Sequence, residues 1–189
     1  MERMRGQCLA QRWFDLAPEA KQKIFGQLKN MVDEMRNLLP PETGAISNVD
    51  GRTLYDMRLP RDPLNANGRF GPFQSVQDFH RYLRSGFEAH PDHFAEVSQL
   101  IHWQDYQDRR TKFTHGDLSS LNVLVNGDQV TAIIDWETAG WYPEYWEYTT
   151  ACQVNPRNPW WRDELDKFLE PFPEALEMDK IRLKYFGDT

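Results

Sequence analysis

The sequence has little of several features that mark particular classes of protein. Only two of its 189 residues are cysteines, Cys8 and Cys152, which are too few for a disulfide framework and favour a reducing, intracellular compartment. No apolar run approaches the roughly 20 residues that span a bilayer, and residues 1–9 contain no secretory-type apolar stretch. We therefore expect a soluble, cytoplasmic protein with no membrane partner.

Positive charge is also scarce. The 22 Lys and Arg residues are outnumbered by 29 Asp and Glu residues, so the net charge is −7. Nucleic-acid affinity depends on clustered cations that displace counterions, and this composition therefore predicts no nucleic-acid partner.

Phosphate-binding loops are absent as well, since neither G-x-G-x-x-G nor G-x-x-x-x-G-K occurs. The lysines are expected on helices or loops, and none lies in a V-A-x-K-like strand. They are Lys21, Lys23, Lys29, Lys112, Lys167, Lys180 and Lys184.

Apolar and aromatic residues are plentiful in this chain. They make up 40% and 13% of it respectively, which is typical of a globular protein with a sizeable core. Its length fits one domain of ordinary size. We expect a single domain over residues 1–189.

The first half of the chain is predicted to be helical. Apolar residues recur at spacings of three and four after Pro18, and Pro40 ends that helix. A second helix begins at Ser75, which forms a capping box with Asp78. A third is expected from Asp92 to Arg109. The residues expected to face inward are Ile24, Leu28, Met31, Met35 and Leu38 in the first helix, Val76, Phe79, Leu83 and Phe87 in the second, and Phe94, Val97, Leu100 and Ile101 in the third.

Between and after these helices the pattern changes. Residues 44–71 are irregular, with one short strand expected near Ala45 to Val49. Two β-prone runs, Asn122 to Val125 and Val130 to Ile134, are joined by N-G-D, which suits a tight hairpin. Aromatic residues then lead into a helix, and helical turns are expected over 163–169 and 173–186. The predicted fold is mainly α with a small β-hairpin, an α+β chain.

The stretch that carries chemistry lies around this hairpin. Residues 113–122 read F-T-H-G-D-L-S-S-L-N, and residues 133–137 read I-I-D-W-E. Asp117 and Asn122 lie five positions apart on a loop, and Asp135 ends the far strand, so three oxygen donors can converge. Phosphoryl transfer needs such a set, because one carboxylate accepts a hydroxyl proton while an amide and a second carboxylate hold Mg²⁺.

This segment resembles the catalytic loop and metal-binding segment of aminoglycoside phosphotransferases and choline-kinase-like enzymes, whose pattern is H-G-D-x-x-x-x-N and then I-D-W/F. The resemblance implies that Asp117 is the catalytic base, that Asn122 and Asp135 ligate Mg²⁺, and that His115 belongs to the catalytic loop as its brace. It extends to residues 1–13, which are similar to the segment after the interlobe hinge in fungal members, and to 71–73 and 140–148. Inside the loop, S-S-L over residues 119–121 replaces the family's A-P-R or A-P-G.

Family members also carry an amino-terminal β-sheet lobe with a phosphate-gripping Lys. The resemblance therefore implies a protein-kinase-like carboxyl-terminal lobe, with the amino-terminal nucleotide lobe absent. On that interpretation Mg²⁺ is the cofactor, and ATP binds only if another chain supplies the missing lobe. We accordingly expect the chain alone not to be a competent kinase.

Three functions from different classes follow. The chain is a small-molecule phosphotransferase, or an ATP-independent enzyme doing acid–base chemistry on a small organic substrate, or a catalytically inactive binding or scaffold protein. In each case a small-molecule substrate or ligand is the expected partner, and the exposed lobe face suits a homodimer. Three residues are expected to line the substrate pocket, namely Trp136, Glu137 and Trp141. The remaining histidines, His80, His90, His93 and His102, are expected at the surface or at helix ends, and no zinc site is predicted.

Overall fold

The computed structural model describes residues 5–40, 46–59, 68–106, 110–153 and 159–187. The helices in these ranges are α1 (Leu9–Arg12), α2 (Pro18–Arg36), α3 (Val76–Leu83), α4 (Ala95–Asp105), α5 (Trp146–Gln153), α6 (Pro159–Glu164) and α7 (Pro173–Phe186). The strands are β1 (Gln7–Cys8), β2 (Leu54–Tyr55), β3 (Arg69–Phe70), β4 (Thr111–Thr114), β5 (Val123–Asn126), β6 (Gln129–Ile133) and β7 (Gly140–Pro143). Short 3₁₀ turns occupy Trp13–Asp15, Trp136–Thr138 and Leu165–Lys167.

The described strands form three small antiparallel sheets. The predicted hairpin is confirmed as β5 and β6, joined at Gly127, whose φ of +61° only glycine adopts without strain. Strand β1 adds to this hairpin in the order β1-β5-β6, while β2 pairs with β3 and β4 pairs with β7. Three of these strands flank the predicted chemistry, since its loop joins β4 to β5 and Asp135 follows β6.

The β content is wider than the single hairpin that the sequence predicted. Strand β4 pairs with β7 over four residues, from Thr111 opposite Pro143 to Thr114 opposite Gly140. This places Lys112 in a strand, where the sequence predicted a helix or loop. Such pairing between distant four-residue segments has no local signal, because each segment is too short to show a period of two.

The strand expected near Ala45 to Val49 is reduced to two isolated bridges. Ile46 pairs with Phe73, and Ser47 pairs with Trp141 at the edge of β7. Ala45 lies outside the described residues. The irregular segment is thus fastened to the strand that leads to α5.

The first predicted helix is confirmed as α2, which buries Ile24 and Leu28. The predicted inward face of this helix is wrong at its last residue, Leu38. The helix stops at Arg36, and Leu38 is 52% exposed. Phe25 and Val32 are buried instead.

The second helix is confirmed as α3, with the Ser75 Oγ accepting a hydrogen bond of 3.0 Å from the Asp78 amide. Phe87 lies beyond the end of α3 and is exposed. In α4, Val97, Leu100 and Ile101 are buried as predicted, but Phe94 precedes the helix and is 71% exposed. The expected end at Arg109 lies outside the described residues, and α4 stops at Asp105.

The prediction that His80 lies at the surface or at a helix end is wrong, because this residue is fully buried. Its Nδ1 lies 2.9 Å from the Gln104 carbonyl oxygen, and its Nε2 lies 2.6 Å from the Tyr145 hydroxyl. This histidine therefore ties α3 to α4 and to the start of α5.

Two apolar clusters build the core. One joins α2, the β5–β6 hairpin and the segment from α6 to Leu169, with Leu118 of the predicted catalytic loop among its members. The other joins α3, α4 and α7 to Tyr142 and Trp146. The site loop is consequently anchored in one cluster, and the strand that pairs with β4 is anchored in the other.

None of the described helices is long and apolar enough to cross a membrane.

A substitution at Gly140 tests the packing between β7 and the irregular segment. A Cβ there would lie 2.5 Å from the Leu54 Cδ2 and 2.6 Å from the Ser47 carbonyl oxygen. We expect Gly140→Ala to lower the free energy of unfolding by about 1–3 kcal/mol, as overpacking does. Urea denaturation measures this.

The matched control is Gly26→Ala in α2, where an added Cβ meets no atom within 4 Å. This variant should raise the free energy of unfolding by about 0.5–1 kcal/mol through helix propensity. Equal effects of the two alanines would contradict the packing interpretation.

Candidate functional site

The loop that carries Asp117 and Asn122 is linked by hydrogen bonds to the end of the hairpin. The Ile134 amide donates to the Asn122 carbonyl oxygen at 2.9 Å. The His115 Nε2 lies 2.9 Å from the Ile134 carbonyl oxygen. Asp135 directly follows Ile134, so the two hydrogen bonds of Ile134 also fix the backbone position of Asp135.

Asp117 and Asn122 are in direct contact. The Asn122 Nδ2 donates to the Asp117 carbonyl oxygen and to its Oδ2, both at 2.9 Å. These two bonds occupy the amide nitrogen, and in the described part of the chain no donor contacts the Asn122 Oδ1. The side chain therefore orients the Asp117 carboxylate while keeping one oxygen available as a ligand.

Asp135 stands at the surface in a left-handed backbone conformation, with φ 67° and ψ 60°. Within the described ranges its carboxylate accepts no hydrogen bond. Its charge nevertheless contributes to the raised pKa of Asp117. The structure bonds Asp117 directly to Asn122 and places Asp135 next to Ile134, whose amide bonds the Asn122 backbone, while the chemical roles of the three residues stay predictions.

The pKa of Asp117 is raised above its ordinary value, mainly because the carboxyl group is partly buried. Arg58 and the hydrogen bond from Asn122 oppose this shift. A carboxylate with a raised pKa accepts a proton more readily, as a general base must.

His115 is fully buried beneath the loop, and its role as the brace of the loop stays a prediction. Its Nδ1 accepts a 3.2 Å hydrogen bond from the Asp117 amide, which leaves the proton on Nε2 for the Ile134 carbonyl. Burial lowers the pKa of His115 to about 4. The ring is therefore neutral at physiological pH and acts as a fixed crosslink.

The sequence reasoning missed Glu147, the residue that holds the loop backbone. This carboxylate is 1% exposed and accepts hydrogen bonds from the His115 amide at 2.6 Å and the Gly116 amide at 3.2 Å. Burial raises its pKa, and the two amides partly offset that shift. An acidic residue inside a run of aromatics was the available signal, since a buried charge requires specific partners.

Gly116 is required in this arrangement. Its φ is +80°, and a Cβ there would lie 3.0 Å from the Thr138 carbonyl oxygen. Thr138 also donates from its hydroxyl to the His115 carbonyl oxygen at 2.8 Å. The loop backbone is therefore packed between the turn after Asp135 and α5.

A second missed element is the pair Asp56 and Arg58, which follows β2. The buried Asp56 carboxylate accepts two bonds from the Arg58 guanidinium, from Nε at 2.8 Å and from Nη2 at 2.7 Å. Arg58 then donates to the Gly116 carbonyl oxygen at 2.6 Å, and its Nη1 lies 3.4 Å from Asp117 Oδ1. The irregular segment was noted in the sequence, but nothing local connects it to the loop.

The three residues expected to line a substrate pocket have different surroundings. Trp136 is partly exposed, and its Nε1 donates to the Ile133 carbonyl oxygen at 2.8 Å. Glu137 is exposed. Trp141 is only 5% exposed and packs edge-on against Phe113, because the β4–β7 register places the two residues opposite each other. Little of the Trp141 ring is available to a ligand.

The donor set fits a magnesium ion. In the described ranges no three His, Cys, Asp or Glu side chains form a metal cluster, so a metal here depends on the mixed pair Asn122 and Asp135. Both offer oxygen atoms without a described donor, and Mg²⁺ prefers oxygen ligands and keeps several waters. One amide and one carboxylate match that requirement.

Comparisons with known proteins bear on the family and the fold. A model of the phosphotransferase enzyme family, APH, matches residues 37–184. No curated protein matches the sequence. Among solved structures, a thermostable mutant of aminoglycoside phosphotransferase APH(4)-Ia in its apo form aligns with a TM-score of 0.53 and 18% identity. The alignment covers 98% of this chain and 60% of that one.

The buried His115 predicts a pH-dependent stability. Its pKa falls from 6.5 to about 4 on folding, so the unfolded chain takes up the proton first as the pH drops. Stability is therefore lost between these two values, by up to about 3 kcal/mol. His115→Gln retains a donor for Ile134 and should lose less stability over that range, as urea denaturation at several pH values would show.

His102→Gln is the matched control, because His102 is exposed on α4. This variant should keep the pH dependence of the unmodified protein. An unchanged pH dependence in His115→Gln would show that His115 is not the titrating group.

Proposed function

Because the chain belongs to the phosphotransferase enzyme family, we propose that Asp117, Asn122 and Asp135 form a centre for Mg²⁺-dependent phosphoryl transfer to a hydroxyl group of a small molecule. The single observation that supports this most strongly is the contact of Asn122 with Asp117. It orients the base with the amide nitrogen and leaves the amide oxygen for a metal.

The reaction is a displacement at phosphorus. The acceptor oxygen forms a bond to the γ-phosphorus of a nucleoside triphosphate, the bond from that phosphorus to the β–γ bridging oxygen breaks, and the nucleoside diphosphate leaves with the electron pair. The hydroxyl proton passes to the Asp117 carboxylate.

Asn122 and Asp135 would hold the metal ion. When bound, Mg²⁺ supplies charge neutralisation for the phosphates. The protein contributes position, since Ile134 fixes Asp135 relative to both Asn122 and His115. A site held by backbone hydrogen bonds reorganises little during the reaction, which is the main requirement for electrostatic catalysis.

Arg58 suits the same function. Its guanidinium lowers the pKa of Asp117 against the effect of burial, which favours the ionised carboxylate that a base requires. Asp56 keeps the guanidinium in place through the bidentate pair. Two influences therefore oppose each other at Asp117: burial raises the pKa of its carboxyl group, and the Arg58 guanidinium lowers it.

Metal binding tests the proposal without a nucleotide. With Mn²⁺ as a paramagnetic substitute, water-proton relaxation should reveal a site that Asp135→Asn weakens by roughly tenfold or more, because one carboxylate charge is lost. Asn122→Ala should weaken it too. The control is Asp163→Asn, which removes an exposed carboxylate on α6. Equal weakening by Asp163→Asn would contradict a site at Asp135.

Transfer itself is tested with water as the acceptor. The assay uses millimolar ATP and detects slow turnover, because the chain alone is not expected to be a competent kinase. We expect its Mg²⁺-dependent hydrolysis of ATP to fall by roughly 10²-fold or more in Asp117→Asn, because the proton acceptor is removed while the size is kept. Mn²⁺ binding should persist in this variant. Hydrolysis that is independent of Asp117 would refute its role as the base.

A further inference from the structure

A groove of about 620 Å³ lies outside the candidate centre, where the end of α2, the start of α3 and the start of β4 meet. Its lining comes from residues 37–40, 75–77 and 110–112, so Asp117, Asn122 and Asp135 do not contribute to it. Sites that hold small organic molecules commonly have volumes of about 300–1,000 Å³. The groove is therefore large enough for such a ligand.

Two cationic side chains line this groove, those of Arg110 and Lys112. Arg110 is exposed and directly precedes β4, whereas Lys112 is half-buried within that strand. Across the part of the chain that the structure describes, neither side chain has an ion pair or a hydrogen bond. Their donor groups are therefore available to a ligand, in contrast to the Arg58 guanidinium, which is bonded to Asp56.

The described lining of the groove contains no carboxylate. Composition does not explain this, because 29 Asp and Glu residues outnumber 22 Lys and Arg residues in the chain. The first acid of α3, Asp78, accepts a hydrogen bond of 2.7 Å from the Ser75 hydroxyl and pairs with Arg81 at 3.6 Å. A negatively charged ligand would therefore balance two positive charges that the lining leaves uncompensated.

An adjoining cavity of about 560 Å³ is balanced in charge. It shares Lys112 with the groove, and its described lining contains three carboxylates beside three cations. One of these cations, Lys29, pairs with Asp33 at 3.1 Å. Lys112 therefore borders acidic groups on one side, whereas Arg110 lines the groove and not this cavity. Arg110 is accordingly the principal anchor for an anion in the groove.

The rest of the groove offers an apolar surface. Leu38 and Leu39 follow the end of α2 and are 52% and 87% exposed. Pro40 and Val76 also line the groove. Covering such side chains with an apolar ligand is favourable, because apolar area is removed from water. The lining thus combines apolar and cationic side chains.

We infer that this groove is a binding site for a small organic anion with an apolar body. The anionic group binds Arg110 and Lys112, and the body covers Leu38 and Leu39. Guanidinium and ammonium groups form charge-assisted hydrogen bonds with an anion, and the same two cations oppose an amine. The site is separate from the candidate centre and does not depend on the proposed phosphoryl transfer.

Three probes of matched shape test the charge preference, namely 4-phenylbutyrate, 4-phenylbutanol and 4-phenylbutylamine, which carry an anionic, a neutral and a cationic end. Isothermal titration without nucleotide or Mg²⁺ should show the acid binding about tenfold or more tightly than the amine, with the alcohol between them. Binding of the amine as tightly as the acid, or no binding of the acid at millimolar concentration, would overturn the inference.

Arg110→Gln should weaken binding of the acid by about threefold or more and leave binding of the alcohol unchanged, because only a charge is removed. Since the Arg110 side chain is exposed and has no described bonds, this variant should keep the fold. The matched control is Lys29→Gln, which removes an exposed cation of the adjoining cavity. Unchanged acid binding in Arg110→Gln, or equal weakening by Lys29→Gln, would refute the assignment to the groove.

The double variant Arg110→Gln, Lys112→Gln removes both cations. It should bind the acid no more tightly than the alcohol, with circular dichroism confirming that β4 and the rest of the fold are retained. A preference for the acid that survives in the folded double variant refutes the inference. If the change within β4 unfolds the chain, Arg110→Gln alone decides the question.

Leu39→Ser tests the apolar part of the groove. It should weaken binding of the acid and of the alcohol alike, by about threefold or more, because apolar contact area is lost. The control is Val49→Ser, which changes an exposed apolar residue that does not line the groove. Unchanged affinities in Leu39→Ser would show that the ligand body lies elsewhere.

This inference and the proposed phosphoryl transfer fail in different ways. Asp117→Asn should bind the acid as the unmodified protein does, and loss of binding would place the ligand at the candidate centre and refute the groove. An Arg110-dependent preference for the acid in a protein without Asp117-dependent hydrolysis would refute phosphoryl transfer and leave the groove as a site for organic anions.

Discussion

The buried carboxylate of Glu147 is the constraint on which the candidate site depends. The side chain is buried, and hydrogen bonds from the backbone amides of His115 and Gly116 replace part of the lost hydration. Arg36 and Arg58 add favourable charge from a greater distance. A buried charge is tolerated only in a narrow geometry, so the loop backbone has one position relative to α5.

Further hydrogen bonds connect the same loop to the hairpin, to the turn after Asp135 and to α6. His115 reaches Ile134 at the end of the hairpin, and Thr138 returns a hydroxyl to the His115 carbonyl oxygen. Trp161 of α6 donates from its indole to the Leu118 carbonyl oxygen at 3.1 Å. The loop that bears the chemistry is thus held by helices, a hairpin and a turn together.

The sequence predicted the local parts of this arrangement and not the distant ones. The order H-G-D and the Asn five positions later identified the loop, and N-G-D identified the hairpin, because each signal lies within a few residues. Glu147 bonds a backbone amide 32 positions away, and Arg58 contacts Asp117 across 59 positions. No period or spacing encodes such contacts, which depend on how β4 pairs with β7 and how the irregular segment bridges to that strand.

The left-handed backbone of Asp135 has a consequence for how this chain can change over time. Glycine adopts that conformation freely, whereas a side chain there costs about 1 kcal/mol. Substitutions that relax the backbone at this position would also discard the carboxylate. Selection for stability alone would therefore erode the site from this residue first, and the persistence of an acid here would be a mark of selection on chemistry.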